Sequence, residues 1–167
     1  MSVAEITTTK QYLTFNLDKE LYTVDVSRAQ EVLEFKSITR VPQTPEFMRG
    51  VINLRGSVVP VVDLRLKFGM SSTESTVDTC IIVVELDLEG ENTILGVLAD
   101  SVQEVIELDP DEIEPPPKIG SSIKTDFIIG MGKRDSQFII ILNFDRVFSI
   151  EELESVKAGK EKAPIKN

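Results

Sequence analysis

The sequence predicts a mainly all-β protein made of two small, similar β-subdomains related by a pseudo-two-fold axis. Apolar residues alternate with polar ones in several short runs, a period typical of half-buried strands. Turn-forming residues separate the runs, which indicates a barrel or a sandwich. A segment that recurs within the chain indicates that the strands form two related units.

The first elements are a hairpin and a short segment of conflicting signals. Alternation over residues 13–17, and again over 22–26 beyond a short polar loop, predicts a β-hairpin. Ser27 and the residues after it match the spacing of a helix capping box, which predicts a short helix starting at Ser27. Pro45 begins a stretch that suits a single helical turn.

A second hairpin is predicted over residues 51–54 and 57–64, around Arg55-Gly56. With Gly56 third in the turn, the glycine takes the position that needs a positive φ, and Arg55 lies at the exposed apex. Pro60 lies inside the second of these strands. Because proline cannot donate to a ladder, that strand is predicted to be an edge strand or to carry a bulge there.

The later part of the chain continues the β pattern and ends in a helix. The predicted strands cover residues 80–88, 93–98, 102–108 and 138–144. We expect a C-terminal helix from 145 to about 157, followed by a mobile tail over 157–167.

An internal repeat organises these elements. Gln-Glu-Val-Leu-Glu-Phe at 30–35 recurs 73 positions later as Gln-Glu-Val-Ile-Glu-Leu at 103–108, and further on the offset becomes 80, so that 58–62 match 138–142. The change implies a seven-residue insertion around 115–125. The repeat predicts subdomain 1 at about 11–70 and subdomain 2 at about 76–148, with room for their termini to be exchanged, and a groove at their junction.

The repeat also exposes a conflict. The copy at 101–106 has the pattern of a strand, whereas the capping box predicts a helix from Ser27, and the two halves ought to agree.

Composition excludes several function classes. The chain has 28 acidic and 18 basic residues, no His and a single Cys. Without His there is no imidazole base or ligand, and one Cys forms no intramolecular disulfide, so Cys80 is predicted to be a small buried hydrophobe. A net charge of −10 disfavours binding to nucleic acid or anionic membranes. No cofactor, metal or catalytic group is expected, and we expect a cytoplasmic protein that is not an enzyme.

The acidic cluster at Asp109, Asp111, Glu112 and Glu114 has no catalytic pattern. A glycosidase pair needs a cleft with aromatic residues, and a calcium loop needs a 12-residue ligand pattern. The cluster precedes three prolines, and we interpret it as a solvated loop.

One motif stands out, namely Asn53-Leu54-Arg55-Gly56. Its turn raises a guanidinium, a planar fork that pairs with carboxylates or carbonyls, above two apolar strands. The repeat places Lys133-Arg134-Asp135-Ser136 at the matching position, so the shared fold dictates neither the arginine nor the glycine. The alternative is an exposed arginine in an ordinary hairpin turn.

The stretch around this motif resembles the signature of a known family. Gly50-Val-Ile-Asn-Leu-Arg-Gly-Ser-Val-Val-Pro-Val-Val-Asp-Leu-Arg65 closely resembles the CheW family of bacterial chemotaxis coupling proteins. The resemblance continues at Arg40-Val-Pro and at Gly96-Val, and covers roughly residues 11–150.

The resemblance implies two five-stranded SH3-like barrels and a scaffold role. Proteins of this family link the cytoplasmic tips of methyl-accepting chemoreceptors to the regulatory domain of the histidine kinase CheA, in arrays associated with the membrane. The resemblance also implies partner-binding roles for residues at three places, the turn, the segment preceding the third strand, and the strand before the turn. These residues are, in that order, Arg55, Asn53, Leu54 and Gly56, then Glu31 and Ala29, then Gly50. Ala29 departs from the family by being small.

The sequence supports two other classes of function less well. A barrel that binds single-stranded nucleic acid needs a basic groove and stacking aromatic residues, which the charge and the absence of Trp oppose. An unrecognised small enzyme would lack every usual catalytic arrangement.

Overall fold

A computed structural model describes residues 8–71, 74–88, 90–116 and 127–147, and within these ranges nearly all regular structure is strand. The strands are β1 Lys10–Leu17, β2 Glu20–Asp25, β3 Ala29–Glu34, β4 Met48–Leu54, β5 Ser57–Asp63, β6 Cys80–Leu88, β7 Glu91–Ala99, β8 Ser101–Leu108, β9 Ile113–Glu114, β10 Ile128–Arg134 and β11 Gln137–Leu142. Two one-turn helices, α1 Leu64–Lys67 and α2 Phe144–Val147, follow β5 and β11, and a 3-10 turn covers Pro110–Glu112.

The strands form two SH3-like sheets, which confirms the predicted all-β class. One sheet has the order β8-β1-β2-β11-β10-β9 and the other β3-β6-β7-β5-β4. Each sheet contains one parallel pair, β2 with β11 and β5 with β7, and is otherwise antiparallel.

Five strands of one sheet repeat the five strands of the other in the same order. Replacing each strand of β3-β6-β7-β5-β4 by its repeat partner gives β8-β1-β2-β11-β10, which is the observed order apart from β9, an additional strand at the edge of the six-stranded sheet. Even the irregularities agree, because β4 shifts register between Met48 and Gly50 and β10 shifts between Ile128 and Gly130, 80 positions later.

Each sheet takes its first hairpin from one half of the chain and its other repeated strands from the other half. The connections explain why: residues 26–28 join β2 to β3, and Asp100 alone joins β7 to β8. If β3 took the place of β8 beside β1, it would run parallel to β2, and a return connection of that kind needs a dozen or more residues. The short connections therefore send the chain from one sheet to the other.

The junction between the sheets, where the repeat predicts a groove, is a packed core. One face of each sheet contributes to this shared core, together with both helices. Its buried members are Phe15, Leu17, Tyr22, Val24, Phe47, Met48, Val62, Leu64, Ile82, Val84, Leu86, Leu95, Val97, Ala99, Leu142, Phe144 and Val147. The other faces enclose two smaller cores, around Ile106 and Ile139 in one sheet and around Ile52 and Ile81 in the other.

The predicted helix starting at Ser27 is wrong, and the strand indicated by the repeat is present. The Ser27 hydroxyl and amide both donate to Asp25 Oδ1, at 2.8 and 2.9 Å, so the side chain closes a turn at the end of β2 and caps no helix. The following residues pair with β6, from Ala29 opposite Val84 to Glu34 opposite Cys80, with a register shift between Ala29 and Glu31. Pro45 likewise begins a turn closed by the Met48 amide, not a helix.

Pro60 is neither on an edge strand nor at a bulge, because β5 lies between β7 and β4 and the register shift falls at Met48–Gly50. Pro60 lies opposite Val51, whose amide and carbonyl both bond to Thr39 on the far side of β4. Val51 and Pro60 therefore exchange no hydrogen bond, and the missing N–H breaks no bond between β4 and β5.

Cys80 is half-buried rather than fully buried, at the start of β6, and its thiol donates to the Asp78 carbonyl at 3.1 Å. Burial raises the pKa of this thiol. The acidic cluster forms a closed turn, since the Asp109 amide donates to the Glu112 carboxylate at 2.8 Å.

The continuation of the C-terminal helix to 157, the tail at 157–167 and most of the insertion lie outside the described residues. None of the helices that the structure describes is long and apolar enough to cross a membrane.

Candidate partner-binding surface

The β4–β5 turn holds the motif that the sequence singled out. Leu54 lies opposite Ser57, so the turn has two residues, Arg55 with φ 51° and Gly56 with φ 88°. Two positive φ values define a type I′ turn, whose twist matches that of paired strands. We expected a positive φ only at Gly56, and the structure corrects this, because a two-residue hairpin requires it at both positions. Asn53 Oδ1 accepts a hydrogen bond from the Gly56 amide at 2.8 Å and closes the turn.

The second half of the chain forms the same turn from different residues. Arg134 lies opposite Gln137, and between them Asp135 has φ 51° and Ser136 has φ 65°. The fold therefore accepts an acid and a serine in this turn, and it is not the turn geometry that requires Arg55.

The structure brings Arg55 and Glu31 together, although 24 positions separate them. Arg55 Nη1 donates to Glu31 Oε1 at 3.4 Å, and Nη2 pairs with Oε2, so the two groups meet through both oxygens. Glu31 lies on β3, at the opposite end of the strand order from β4. The contact thus joins the two ends of the five-stranded sheet. Arg55 remains 72% exposed, so much of its guanidinium still faces solvent.

Pairing shifts the protonation equilibria of both groups. The hydrogen bond from Arg55 lowers the pKa of the Glu31 carboxyl, and Lys36 adds to this by its charge. The same hydrogen bond raises the pKa of the Arg55 guanidinium. Both groups are therefore charged at neutral pH, and the pair offers a partner a fixed cation beside a fixed anion.

Ala29 and Leu54, the apolar members of the predicted set, are half-buried. Ala29 pairs with Val84 of β6 and packs against the shared core. Leu54 packs against the core of the five-stranded sheet. Each therefore presents only part of its side chain to the surface.

Gly50 lies beneath the surface, in contact with the chain before β4. It has φ +145°, and a Cβ built on it would stand 2.1 Å from the Thr39 carbonyl oxygen. The Thr39 and Val51 backbones exchange two hydrogen bonds beside it, at 2.9 and 2.8 Å. Gly50 therefore sets how closely residues 38–39 approach the sheet.

Sequence reasoning missed two pairs of exposed apolar side chains. Val32 and Val58 in the five-stranded sheet, and Val105 and Phe138 in the other, are each 42–52% exposed. They occupy equivalent positions, since Val105 lies 73 positions after Val32 and Phe138 lies 80 positions after Val58. The offsets of the repeat, combined with the alternation in each strand, were the signal that could have found them.

In the part of the chain that the structure describes, no three acidic or cysteine side chains come together to hold a metal ion. The features present are an ion-paired arginine on an exposed turn and apolar side chains on paired sheets. They define a class of small two-barrel β-protein that offers surfaces to other proteins.

Comparisons with known proteins identify which protein of this class the chain resembles. The CheW-like domain model matches residues 11–152, so the chain belongs to the CheW family. It is 33% identical over 152 residues to chemotaxis protein CheW of Thermotoga maritima, covering 89% of this chain and 92% of that protein. It is 31% identical over 147 residues to chemotaxis protein CheW of Klebsiella aerogenes, covering 88% and 86%.

The fold agrees with a solved member of the family. The crystal structure of scaffolding protein TtCheW from Thermoanaerobacter tengcongensis matches with a TM-score of 0.75 and 40% identity, over 86% of this chain and 94% of that one. The resemblance found in the sequence is thereby confirmed.

Proposed function

We propose that this protein is a non-catalytic coupler, which links the cytoplasmic tips of methyl-accepting chemoreceptors to the regulatory domain of the histidine kinase CheA. In this role it acts in the cytoplasm, at receptor arrays, and binds neither nucleic acid nor the bilayer itself. Its net charge of −10 accords with this, since an acidic surface repels phosphate backbones and anionic lipids.

One observation carries the proposal, namely the Arg55–Glu31 pair on the exposed face of the β4–β5 turn. The second half builds the same turn from Asp135 and Ser136, so the turn itself does not require an arginine. A guanidinium held by a carboxylate keeps a defined orientation and retains free N–H donors for a partner.

We propose that the receptor contact lies on the surface of the five-stranded sheet and not at the junction between the sheets. The apolar residues of the junction are buried in the shared core and are not available to a receptor helix. We assign the receptor contact to the turn residues Asn53, Leu54, Arg55 and Gly56, with Glu31 and Ala29 of β3 beside them. Gly50 acts indirectly, by allowing residues 38–39 to approach β4 closely.

We assign contact with CheA to exposed apolar side chains of the other sheet, where Val105 and Phe138 face solvent. Burial of such side chains stabilises association, because each removes apolar surface from water. A coupler that contacts both partners changes kinase output by favouring one state of the assembly over the other. The required difference in binding free energy between the two states is about a few kcal/mol.

The proposal is tested by replacing Arg55 with Ala. We expect the variant to keep the thermal transition of the wild type and to fail in receptor control of CheA, measured as kinase activity in co-sedimented receptor complexes. Arg134→Ala is the matched control, since Arg134 flanks the equivalent turn of the second half and donates to the Glu107 carbonyl at 3.0 Å. Full receptor control in Arg55→Ala would contradict the assigned role.

A further inference from the structure

An ion pair joins the helix after β5 to the connection after β7. Arg65, the second residue of α1, donates to Asp100 Oδ2 at 2.7 Å and lies 3.7 Å from Asp18. Its side chain is only 13% exposed, and its Nε also donates to the Ser71 carbonyl at 2.9 Å. This pair fastens hairpin β6–β7, from the second half, to first-half strands.

A second ion pair joins the helix after β11 to the connection after β2. Arg28 donates to Asp145 Oδ2 at 2.7 Å, and Asp145 is the second residue of α2. The other carboxylate oxygen of Asp145 accepts from the Asp87 amide at 3.0 Å. This pair fastens hairpin β1–β2, from the first half, to second-half strands.

The two pairs occupy equivalent places with opposite polarity. Asp145 lies 80 positions after Arg65, which is the repeat offset of this region. The connections correspond as well, because β5 runs parallel to β7 and β11 runs parallel to β2 in the same order. Within them the charged residues are offset by one position, since the shift of 73 aligns Asp100 with Ser27, the residue before Arg28. In one sheet the helix carries the cation and the connection carries the anion, and in the other the signs are reversed.

We propose that this reversed polarity makes the two halves non-interchangeable, so that each hairpin fits only the strands of the opposite half. If first halves from two copies of the chain exchanged hairpins, Arg65 would face Arg28. If second halves did so, Asp145 would face Asp100. Both like-half pairings place equal charges in contact at partly buried sites, where water screens them least.

The strand order of the sheets does not supply this discrimination. The five repeated strands have the same order in both sheets, and the register shift between Met48 and Gly50 recurs between Ile128 and Gly130. The ion pairs thus act against assembly of like halves from a second copy of the chain.

The test exchanges the two charges of one ion pair, so that both sheets have the same arrangement of signs and the pair itself is kept. In Arg65→Asp/Asp100→Arg both helices carry acids and both connections carry bases, so the contact between helix and connection stays attractive in both sheets and like-half pairing becomes attractive as well. The variant gives up smaller contacts, among them the approach of Arg65 to Asp18 and the hydrogen bond from the Asp18 amide to Asp100. After refolding from urea at rising protein concentration, we expect this variant to form dimers by light scattering where the wild type is monomeric. The single variant Arg65→Asp should lose about 5–10 °C in Tm, and the double variant should regain most of it.

The control is Lys133→Glu/Glu114→Lys, which reverses an exposed pair of 2.5 Å between strands of the same half. It should refold as the wild type does. If the double variant fails to fold, Arg28→Asp/Asp145→Arg equalises the polarity in the other direction and takes its place. Refolding of an equalised variant to the same monomer fraction as the wild type would overturn the proposal, as would an unchanged Tm in Arg65→Asp.

Discussion

The carbonyl oxygen of Thr39 lies so close to Gly50 that a Cβ at position 50 would stand 2.1 Å from it. The backbone cannot yield there without breaking the two hydrogen bonds that Thr39 makes with Val51. The tolerance of position 50 is therefore set by packing at the outer side of β4, the last strand of the five-stranded sheet.

Gly50→Ala should destabilise the protein by roughly 3 kcal/mol or more, because it adds a clash with backbone atoms to the strain of a positive φ. Gly56→Ala is the matched control. Its φ is also positive, at 88°, but a Cβ there meets nothing within 4 Å, and we expect a loss of about 1 kcal/mol. Urea unfolding measures the free energy of unfolding of both variants. Equal losses in the two would show that the contact with Thr39 does not destabilise Gly50→Ala.

Arg55→Ala should raise the pKa of Glu31 toward its ordinary value of 4.5, because the hydrogen bond from Arg55 is the largest cause of its lowering. Because the pKa of Glu31 is lower in the folded protein than in the unfolded chain, the charged carboxylate stabilises the fold above pH 4.5. This stabilisation is lost as the pH falls through the pKa that Glu31 has in the folded protein. The Glu31 carboxyl carbon, followed by NMR during an acid titration, reports the shift. Arg134→Ala should leave that titration unchanged, and an unchanged curve in Arg55→Ala would contradict the pairing.

Grafting the second-half turn onto the first half separates fold from function. The replacement Arg55→Asp/Gly56→Ser puts in the first turn the residue types that already hold φ 51° and 65° in the second. We therefore expect a Tm within about 5 °C of the wild type and the loss of receptor control over CheA. The reverse graft, Asp135→Arg/Ser136→Gly, should leave receptor control intact. Retained control in the first graft would show that Arg55 is dispensable.

Alkaline unfolding should involve Tyr12. Burial, with a smaller contribution from Asp25, raises the pKa of Tyr12 to about 12, and burial raises that of Tyr22 as well. A raised folded pKa means that the stabilisation is complete below the ordinary value of 10.0 and is lost as the pH rises toward 12. The loss from Tyr12 amounts to about 2–3 kcal/mol.

Absorbance at 295 nm follows the ionisation, and the chain has only two tyrosines. In Tyr12→Phe the step near pH 12 should disappear and the alkaline unfolding midpoint should move upward. If both tyrosines of the folded protein ionised in a single absorbance step near pH 10, the burial of their hydroxyl groups would be contradicted.

The local features of this protein follow from its amino-acid sequence alone. Alternation with a period of two is a property of neighbouring residues, so the strands and the hairpins could be predicted from it, and the repeat predicted that they come in two copies. The repeat also carried more information than local capping signals, since it favoured a strand after Ser27 where the capping box favoured a helix. The family resemblance was most specific over one contiguous stretch, residues 50–65, and covered roughly residues 11–150.

Which strands pair with each other depends on the tertiary structure and could not be predicted from local patterns. Connections of three residues and of one residue send the chain across to the other sheet, and the apolar faces that suggested a groove close on each other as the shared core. The Arg55–Glu31 pair and the opposed pairs at Arg65 and Asp145 likewise join residues far apart in the chain. Such contacts follow from long-range packing, which determines the partner of each charged side chain, whereas periodicity determines only the face on which it lies.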